Sequence, residues 1–141
     1  MRIINVHGGS KSQRRLAESA IFWYIKNFLP KVKNLDIDVD ITKLKRDING
    51  LCSETDVRHY DIELNSKLKV GEFVTTLMHE MIHVKQYVRR EISDTETGKI
   101  RWKSRTYNQN NISYWEHPWE KEAHKYDESI AYEFMIDTGR W

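Results

Sequence analysis

Residues 77–86, near the middle of the chain, carry the side chains best suited to chemistry. They include His79-Glu80-Met81-Ile82-His83, which matches the pattern H-E-x-x-H. On a helix, two residues four positions apart lie one turn apart, so both imidazoles project from the same face. One metal ion needs this geometry from two nitrogen ligands. Glu80 lies about 100° around the helix from His79, where its carboxylate could take a proton from metal-activated water.

A catalytic metal site of this kind needs a third protein ligand. The candidates downstream are Glu116, His117, Glu120, Glu122, His124 and Asp127. On a helix, Glu120, Ala123 and Asp127 share one face, and the small residue there lets two helices approach closely. Glu122 lies about 200° around the helix from Glu120, so only one of the two can face the site. The geometry favours Glu120, with Glu122 as the next choice and His117, in a three-histidine site, as a further alternative.

The motif and the downstream glutamate together resemble the gluzincin group of zincin metallopeptidases. In that group a small residue follows the glutamate at the third position and a polar residue at the fourth, as Ala123 and His124 follow Glu120. Asp or Asn is commoner than His at the fourth place, and Asp127, one turn later, could take over its contact with a ligand. The chain is also similar to small zincin-like proteins, including phage-encoded and SprT-like ones, in the segments 83–86 (HVKQ), 102–103 (WK) and 118–123 (PWEKEA).

This resemblance, which covers roughly residues 55–137, implies a zincin-like fold and zinc-dependent hydrolysis of peptide bonds. It implies that His79, His83 and Glu120 hold a Zn²⁺ ion. Glu80 would then be the catalytic base, which takes a proton from zinc-activated water and returns it to the leaving amine.

The resemblance also implies a peptide or protein substrate that lies antiparallel to an edge strand. We expect that strand at residues 59–65, because it directly precedes the motif helix. A donor to the developing oxyanion is needed as well. The candidates near the third ligand are Tyr114, His117 and Tyr126.

Several further elements must position this site. A stripe of aromatic and aliphatic residues predicts a helix from Ser12 to about Leu29, ended by Pro30. Strict alternation of apolar and polar residues predicts half-buried strands over 35–41 and 59–65, with the aspartates of the first strand facing solvent. Weaker patterns predict a strand near 51–57 and a short strand or ordered lead-in at 2–6.

The motif lies on a predicted helix over about residues 71–90, and the third ligand lies on another over 119–137. Between them, residues 94–98 predict a hairpin turn that leads into a strand over 99–107. We therefore expect an α+β fold. In it an N-terminal helix and a small, twisted, mostly antiparallel sheet pack on the motif helix, followed by a hairpin and a C-terminal helix.

The composition fits one domain over residues 1–141. Lys and Arg (23) nearly balance Asp and Glu (21), which argues against an obligatory polyanionic partner. Cys52 is the only cysteine, so no intramolecular disulfide can form, as expected in a reducing compartment. The sequence shows no secretory signal and no membrane span, and we expect a cytoplasmic protein.

Two other functions fit the sequence. The first is a nucleic-acid-associated protein that binds DNA, or processes DNA-bound proteins, through the basic residues of segment 85–105, with Trp102 and Tyr107 stacking on bases. The second is a non-catalytic scaffold that a metal ion stabilises.

Overall fold

The computed structural model describes residues 1–140 and has an α+β fold with two sheets. The strands are β1 (Arg2–Gly8), β2 (Leu35–Thr42), β3 (Gly50–Asp56), β4 (His59–Asn65), β5 (Ile92–Asp94), β6 (Ile100–Trp102) and β7 (Arg105–Tyr107). The helices are α1 (Lys11–Phe28), α2 (Val70–Val88) and α3 (Pro118–Asp137), and short 3-10 turns lie at Gln109–Asn111 and Tyr114–Glu116. Within residues 1–140, no helix is both long and apolar enough to cross a membrane. Trp141, the last residue of the predicted domain, lies outside the described residues.

A four-stranded mixed sheet with the order β1-β2-β4-β3 lies at the centre. Strands β1, β2 and β4 are parallel, and only β3 is antiparallel to its neighbour. The prediction of a mostly antiparallel sheet is therefore wrong. Helix α1 returns the chain so that β2 can pair parallel with β1, and the loop 43–49 carries β3 past the position that β4 then fills. Alternation shows which face of a strand is buried but not which strand lies next to it.

Strand β4 lies inside the sheet and is not an edge strand. It pairs with β2 on one side and with β3 on the other, so that Ile62 lies opposite both Val39 and Cys52. Its backbone groups are used by both neighbours, and the prediction that residues 59–65 align a substrate is wrong. The free edge beside α2 belongs to β3.

The central sheet buries one face and exposes the other. The apolar side chains of its two inner strands pack with α1 and α2, namely Ile37, Val39, Ile41, Tyr60, Ile62 and Leu64. The alternate positions form an acidic face, as predicted for the aspartates of β2, made by Asp36, Asp38, Asp40, Asp61 and Glu63. In register, Asp38 lies beside Asp61 and Asp40 beside Glu63. A histidine lies beside one of these carboxylates, with His59 Nδ1 3.5 Å from Asp36 Oδ2.

The motif helix α2 is buried on most sides. The sheet covers one side, and α1 and α3 cover the others. Its bounds lie within two residues of the predicted 71–90. Helix α3 approaches α2 through the small side chains of Ala123 and Ala131, which are buried as expected. Helix α1 is capped by Ser10 rather than the predicted Ser12, because Ser10 Oγ accepts a hydrogen bond from the Gln13 amide at 3.1 Å.

The segment between α2 and α3 forms a three-stranded antiparallel sheet with the order β5-β6-β7. The single strand predicted over 99–107 is divided at Lys103 and Ser104, which have φ of 45° and 70°. This left-handed backbone turns the chain tightly. Apolar side chains of this sheet pack with Trp119 of α3 in a second, smaller cluster, namely Ile92, Ile100 and Trp102.

Two valines of α2 test how much the fold depends on burial of this helix. Val74 is completely buried, whereas Val70 at the helix start is 59% exposed. We expect Val74→Ala to lower the free energy of unfolding by about 2 kcal/mol, because it removes buried methyl groups and leaves a cavity. Val70→Ala, the same chemical change on the same helix, should change it by less than about 0.5 kcal/mol. Urea unfolding of both variants measures the difference, and equal losses would contradict the described packing.

Candidate metal centre

Helices α2 and α3 bring three donor atoms together. Glu120 Oε1 lies 2.9 Å from His79 Nε2 and 3.1 Å from His83 Nε2, and the two nitrogens are 3.3 Å apart. With bonds of about 2.0–2.1 Å, the ligand atoms around a tetrahedral zinc ion are separated by about 3.3 Å. The three side chains therefore form a cluster that could hold a metal ion.

The other ring nitrogen of each histidine contacts an acceptor. His79 Nδ1 lies 3.2 Å from Asp127 Oδ2, and His83 Nδ1 lies 2.8 Å from Gln86 Oε1. These contacts favour the tautomer in which Nδ1 carries the proton and Nε2 offers its lone pair to a metal. The Gln86 amide is itself oriented, because its Nε2 donates to the carbonyl oxygen of Trp119 at 3.1 Å.

Electrostatics at these donors favours a positive charge between them. Burial lowers the pKa of His79, but hydrogen bonds with Asp127 and Glu120 outweigh it and raise this pKa to about 9. Burial likewise lowers the pKa of His83, but its hydrogen bond with Glu120 makes the net shift upward. Burial raises the pKa of Glu120, but hydrogen bonds with His79 and His83 hold it well below its usual range. A metal cation could replace the protons that these imidazoles attract, since ligation requires neutral histidine.

The two alternative third ligands lie elsewhere. Glu122 Oε1 accepts a hydrogen bond from Gln86 Nε2 at 3.2 Å, and its other oxygen lies 3.6 Å from Lys103 Nζ. His117 Nε2 lies 3.1 Å from the carbonyl oxygen of Gln109, and its ring stacks on Trp119. Of the three candidates, only Glu120 lies at the histidines. Its role as a ligand stays a prediction.

The predicted base, Glu80, borders a cleft. Its side chain is nearly buried, and within residues 1–140 no group donates a hydrogen bond to its carboxylate. Burial raises the pKa of Glu80, and His83 and His79 offset this only in part. The cleft has a volume of about 460 Å³ and is lined by residues of the loop before β3, of α2, and of the segment around α3.

The start of β3 approaches Glu80 closely at Gly50. A Cβ atom on this glycine would lie 3.1 Å from Glu80 Oε2 and 2.7 Å from Thr76 Cγ2. Only a glycine leaves this space free. Nothing in the sequence around Asn49-Gly50 indicates a contact with the motif helix.

Tyr114 is the one predicted oxyanion donor that lies beside the donor cluster. Its hydroxyl donates to Glu120 Oε1 at 3.0 Å and lies 3.1 Å from His124 Nε2. Burial and the charge of Glu120 raise the pKa of Tyr114, which keeps the hydroxyl protonated. Tyr126 lines a different cavity, on the other side of α3.

Asp127 contacts one of the predicted ligand histidines, a role for which His124 was the first candidate in the sequence. Its Oδ2 lies 3.2 Å from His79 Nδ1 and 3.4 Å from His124 Nδ1. These three side chains form a second cluster that could hold a metal ion. It shares His79 with the first cluster.

One supporting residue was missed in the sequence. Gln86 entered only as part of the segment 83–86, without a role. A signal was present, because Gln86 follows His83 by three positions and therefore lies on the same helix face.

Some residues of the basic segment 85–105 form ion pairs, and others pack in the small apolar cluster of the three-stranded sheet. Arg90 lies 3.4 Å from Glu54, and Lys103 lies between Glu91 and Glu122. Trp102 is buried, so the expected stacking of this ring on bases does not fit the structure. Contact with nucleic acid through this segment stays a prediction.

Comparison of the chain with protein-family models, with curated proteins and with solved structures finds no match.

A pair of glutamates on α3 tests the third ligand. We expect Glu120→Gln to weaken zinc binding by more than about 100-fold, because it removes the charged ligand atom between the histidines. Loss of a residue that only contacts a ligand lowers metal affinity by about 10–100-fold. Glu122→Gln, the same change two positions away, should weaken it by less than about tenfold. Competition with a chromophoric chelator measures both affinities. The reverse order would make Glu122 the ligand, and no effect of either would favour His117.

Proposed function

We propose that the chain is a zinc-dependent metallopeptidase that cleaves peptide bonds with Glu80 as the general base. One observation supports this above all. Two histidine nitrogens and one glutamate oxygen lie within 3.3 Å of one another, and a further carboxylate with a raised pKa borders the adjoining cleft. Three atoms that could bind a metal ion and one proton acceptor therefore lie side by side.

The donor set favours zinc. Two imidazole nitrogens and one carboxylate oxygen are a ligand set of catalytic zinc sites, in which a fourth position stays open for water or substrate. When bound, zinc supplies a Lewis acid that acidifies water and polarises a carbonyl group. The arrangement of the donor atoms and the charge of the site fit a divalent cation. Glu80, Glu120 and Asp127 lie around the site, and no lysine or arginine among residues 1–140 lines the cleft.

Glu80 is suited to move a proton. Burial raises the pKa of Glu80 above its ordinary value, so the carboxylate is a stronger base than an exposed glutamate. No hydrogen bond within residues 1–140 occupies its oxygens. It can therefore accept a proton from the attacking water and deliver it to the leaving amine. Tyr114, whose raised pKa keeps it protonated, is the candidate donor to the oxyanion.

The free edge of β3 can align a peptide beside this site. The Asn49 carbonyl oxygen accepts a hydrogen bond from the Asn65 amide at 2.8 Å. In an antiparallel ladder the backbone groups alternate, so those of Gly50 and Cys52 face away from β4. A peptide paired with them would pass Glu80, which lies against Gly50. Pairing with an exposed strand edge is a general mode of peptide recognition.

Substitution of Glu80 separates catalysis from metal binding. We expect Glu80→Gln to keep about one zinc ion per chain and to lower peptide hydrolysis by roughly 10²–10⁴-fold, because the amide cannot accept the proton. His79→Ala should lose the zinc. Glu72→Gln, on the exposed first turn of the same helix, is the matched control and should keep both. Metal content and cleavage of an unfolded protein substrate measure the outcome.

Two results would contradict the proposed mechanism. Full hydrolysis by Glu80→Gln would remove this residue as the base. Stoichiometric zinc without hydrolysis of any peptide by the unaltered chain would favour the non-catalytic scaffold instead.

Two glycines test the contact between β3 and the base. Gly50→Ala should lower hydrolysis by at least about tenfold while zinc content stays unchanged, because the added methyl would lie 2.7 Å from Thr76 Cγ2, 3.0 Å from the Glu63 carbonyl oxygen and 3.1 Å from Glu80 Oε2, and would so shift β3 relative to the base. Gly71→Ala is the matched control: nothing lies within 4 Å of its Cβ position, and activity should be retained. Its stability should be equal or slightly higher, because alanine restricts the unfolded chain. Unaltered turnover in Gly50→Ala would contradict a close contact between β3 and the base.

A further inference from the structure

The outer part of the cleft is lined by exposed apolar side chains. Trp115 is 66% exposed, Leu51 is 49% exposed and Tyr114 is 45% exposed, and all three border the same cavity as His79 and Glu80. The large exposed apolar area at the mouth of a cleft is typical of a binding surface.

The Trp115 ring is held in place by its neighbours. It lies at 4.9 Å from the ring of His124, tilted by 33°, and at 5.1 Å from the ring of Tyr114 in an edge-to-face contact. Most of the indole surface stays open to solvent beside these contacts. A fixed aromatic side chain of this kind can bind an apolar group with little loss of conformational freedom.

The charge of the cleft is negative. Asp47, Glu80 and Asp127 line it, and Glu120 lies directly behind. These four carboxylates outnumber the two charges of a divalent ion. Within residues 1–140 no lysine or arginine borders the cavity, so no permanently charged side chain of the protein is there to pair with an acidic side chain or with a free C-terminal carboxylate.

We propose that this surface selects internal peptide segments that carry an aromatic or large aliphatic side chain, which packs on Trp115 and Leu51, and that it rejects acidic residues and free C-termini there. The protein would then be an endopeptidase with an apolar specificity pocket and not a carboxypeptidase. This inference rests on the proposed function.

Leu51 connects this surface to the strand edge. Its backbone groups face β4, and its side chain stands on the face of β3 opposite Cys52, which packs towards the core. Leu51 and Glu80 nevertheless border the same cleft, so a peptide paired with Gly50 would lie close to both. We therefore expect the apolar preference at peptide residues near the scissile bond.

Binding to an inactive chain tests the preference without turnover. The full-length Glu80→Gln chain, loaded with zinc, is titrated with labelled hexapeptides that are blocked at both ends and differ at one central position: Phe, Leu, Ala or Asp. A fifth peptide ends in Phe with a free carboxylate. Fluorescence anisotropy gives each dissociation constant. We expect the Phe and Leu peptides to bind about tenfold more tightly than the Ala peptide, and the Asp and free-carboxylate peptides to bind most weakly.

Trp115→Ala in the same background should reduce the preference for Phe over Ala to about twofold or less, whereas Trp115→Phe should retain most of it. Zinc content and the melting temperature of each variant control for folding. Equal binding of all peptides, tightest binding of the Asp peptide, or an unchanged preference in Trp115→Ala would overturn the inference.

Hydrolysis by the unaltered chain is measured in parallel, so that the two proposals can fail separately. A clear apolar preference in binding, without hydrolysis of any peptide, would overturn the proposed function and leave the binding surface standing. Hydrolysis without any preference among the internal peptides would overturn the inference and leave the metallopeptidase proposal standing.

Discussion

The arrangement of the whole site depends on one carboxylate oxygen that contacts two imidazole nitrogens. Glu120 Oε1 lies within 3.1 Å of both His79 and His83, so these contacts require α2 and α3 to lie close together. Two features of the fold permit this approach. Ala123, one turn further along α3, is completely buried and small, and the central sheet supports α2 from the other side. A rotation of α3 by one residue, about 100°, would carry the carboxylate out of reach.

The two histidines are oriented by partners of different charge, and this difference lowers the free-energy cost of burying the site. His79 is oriented by a carboxylate, Asp127, whereas His83 is oriented by a neutral amide, Gln86. One charge is therefore buried behind the pair instead of two, which lowers the desolvation cost. Glu122, which does not reach the histidines, still contributes, because it accepts a hydrogen bond from the Gln86 amide and fixes which way that amide points. The outer contacts thus determine which lone pairs face the centre.

Patterns along single segments predicted much of this structure. Helical periodicity placed the motif and Glu120 on facing helices, and alternation predicted the solvent-facing aspartates of β2. The strand order was not predictable in this way, because pairing of distant segments is decided by packing of the whole core and leaves no periodic trace. For the same reason the edge strand was misassigned. The contact of Gly50 with Glu80 joins a strand and a helix that the sequence treats as unrelated, and it follows only from the mixed sheet.

The acidic face of the central sheet has a consequence for how copies of this chain meet. Parallel strands are usually covered on both faces, and a flat uncovered face invites stacking against a second sheet. Here Asp38 lies beside Asp61 and Asp40 beside Glu63, so two such faces brought together would repel strongly. The same repulsion acts within one molecule and opposes folding slightly. Salt screens charges that are more than about 10 Å apart at 0.1 M, so ionic strength would weaken the protection against self-association more than it relieves the repulsion between neighbouring strands of one chain.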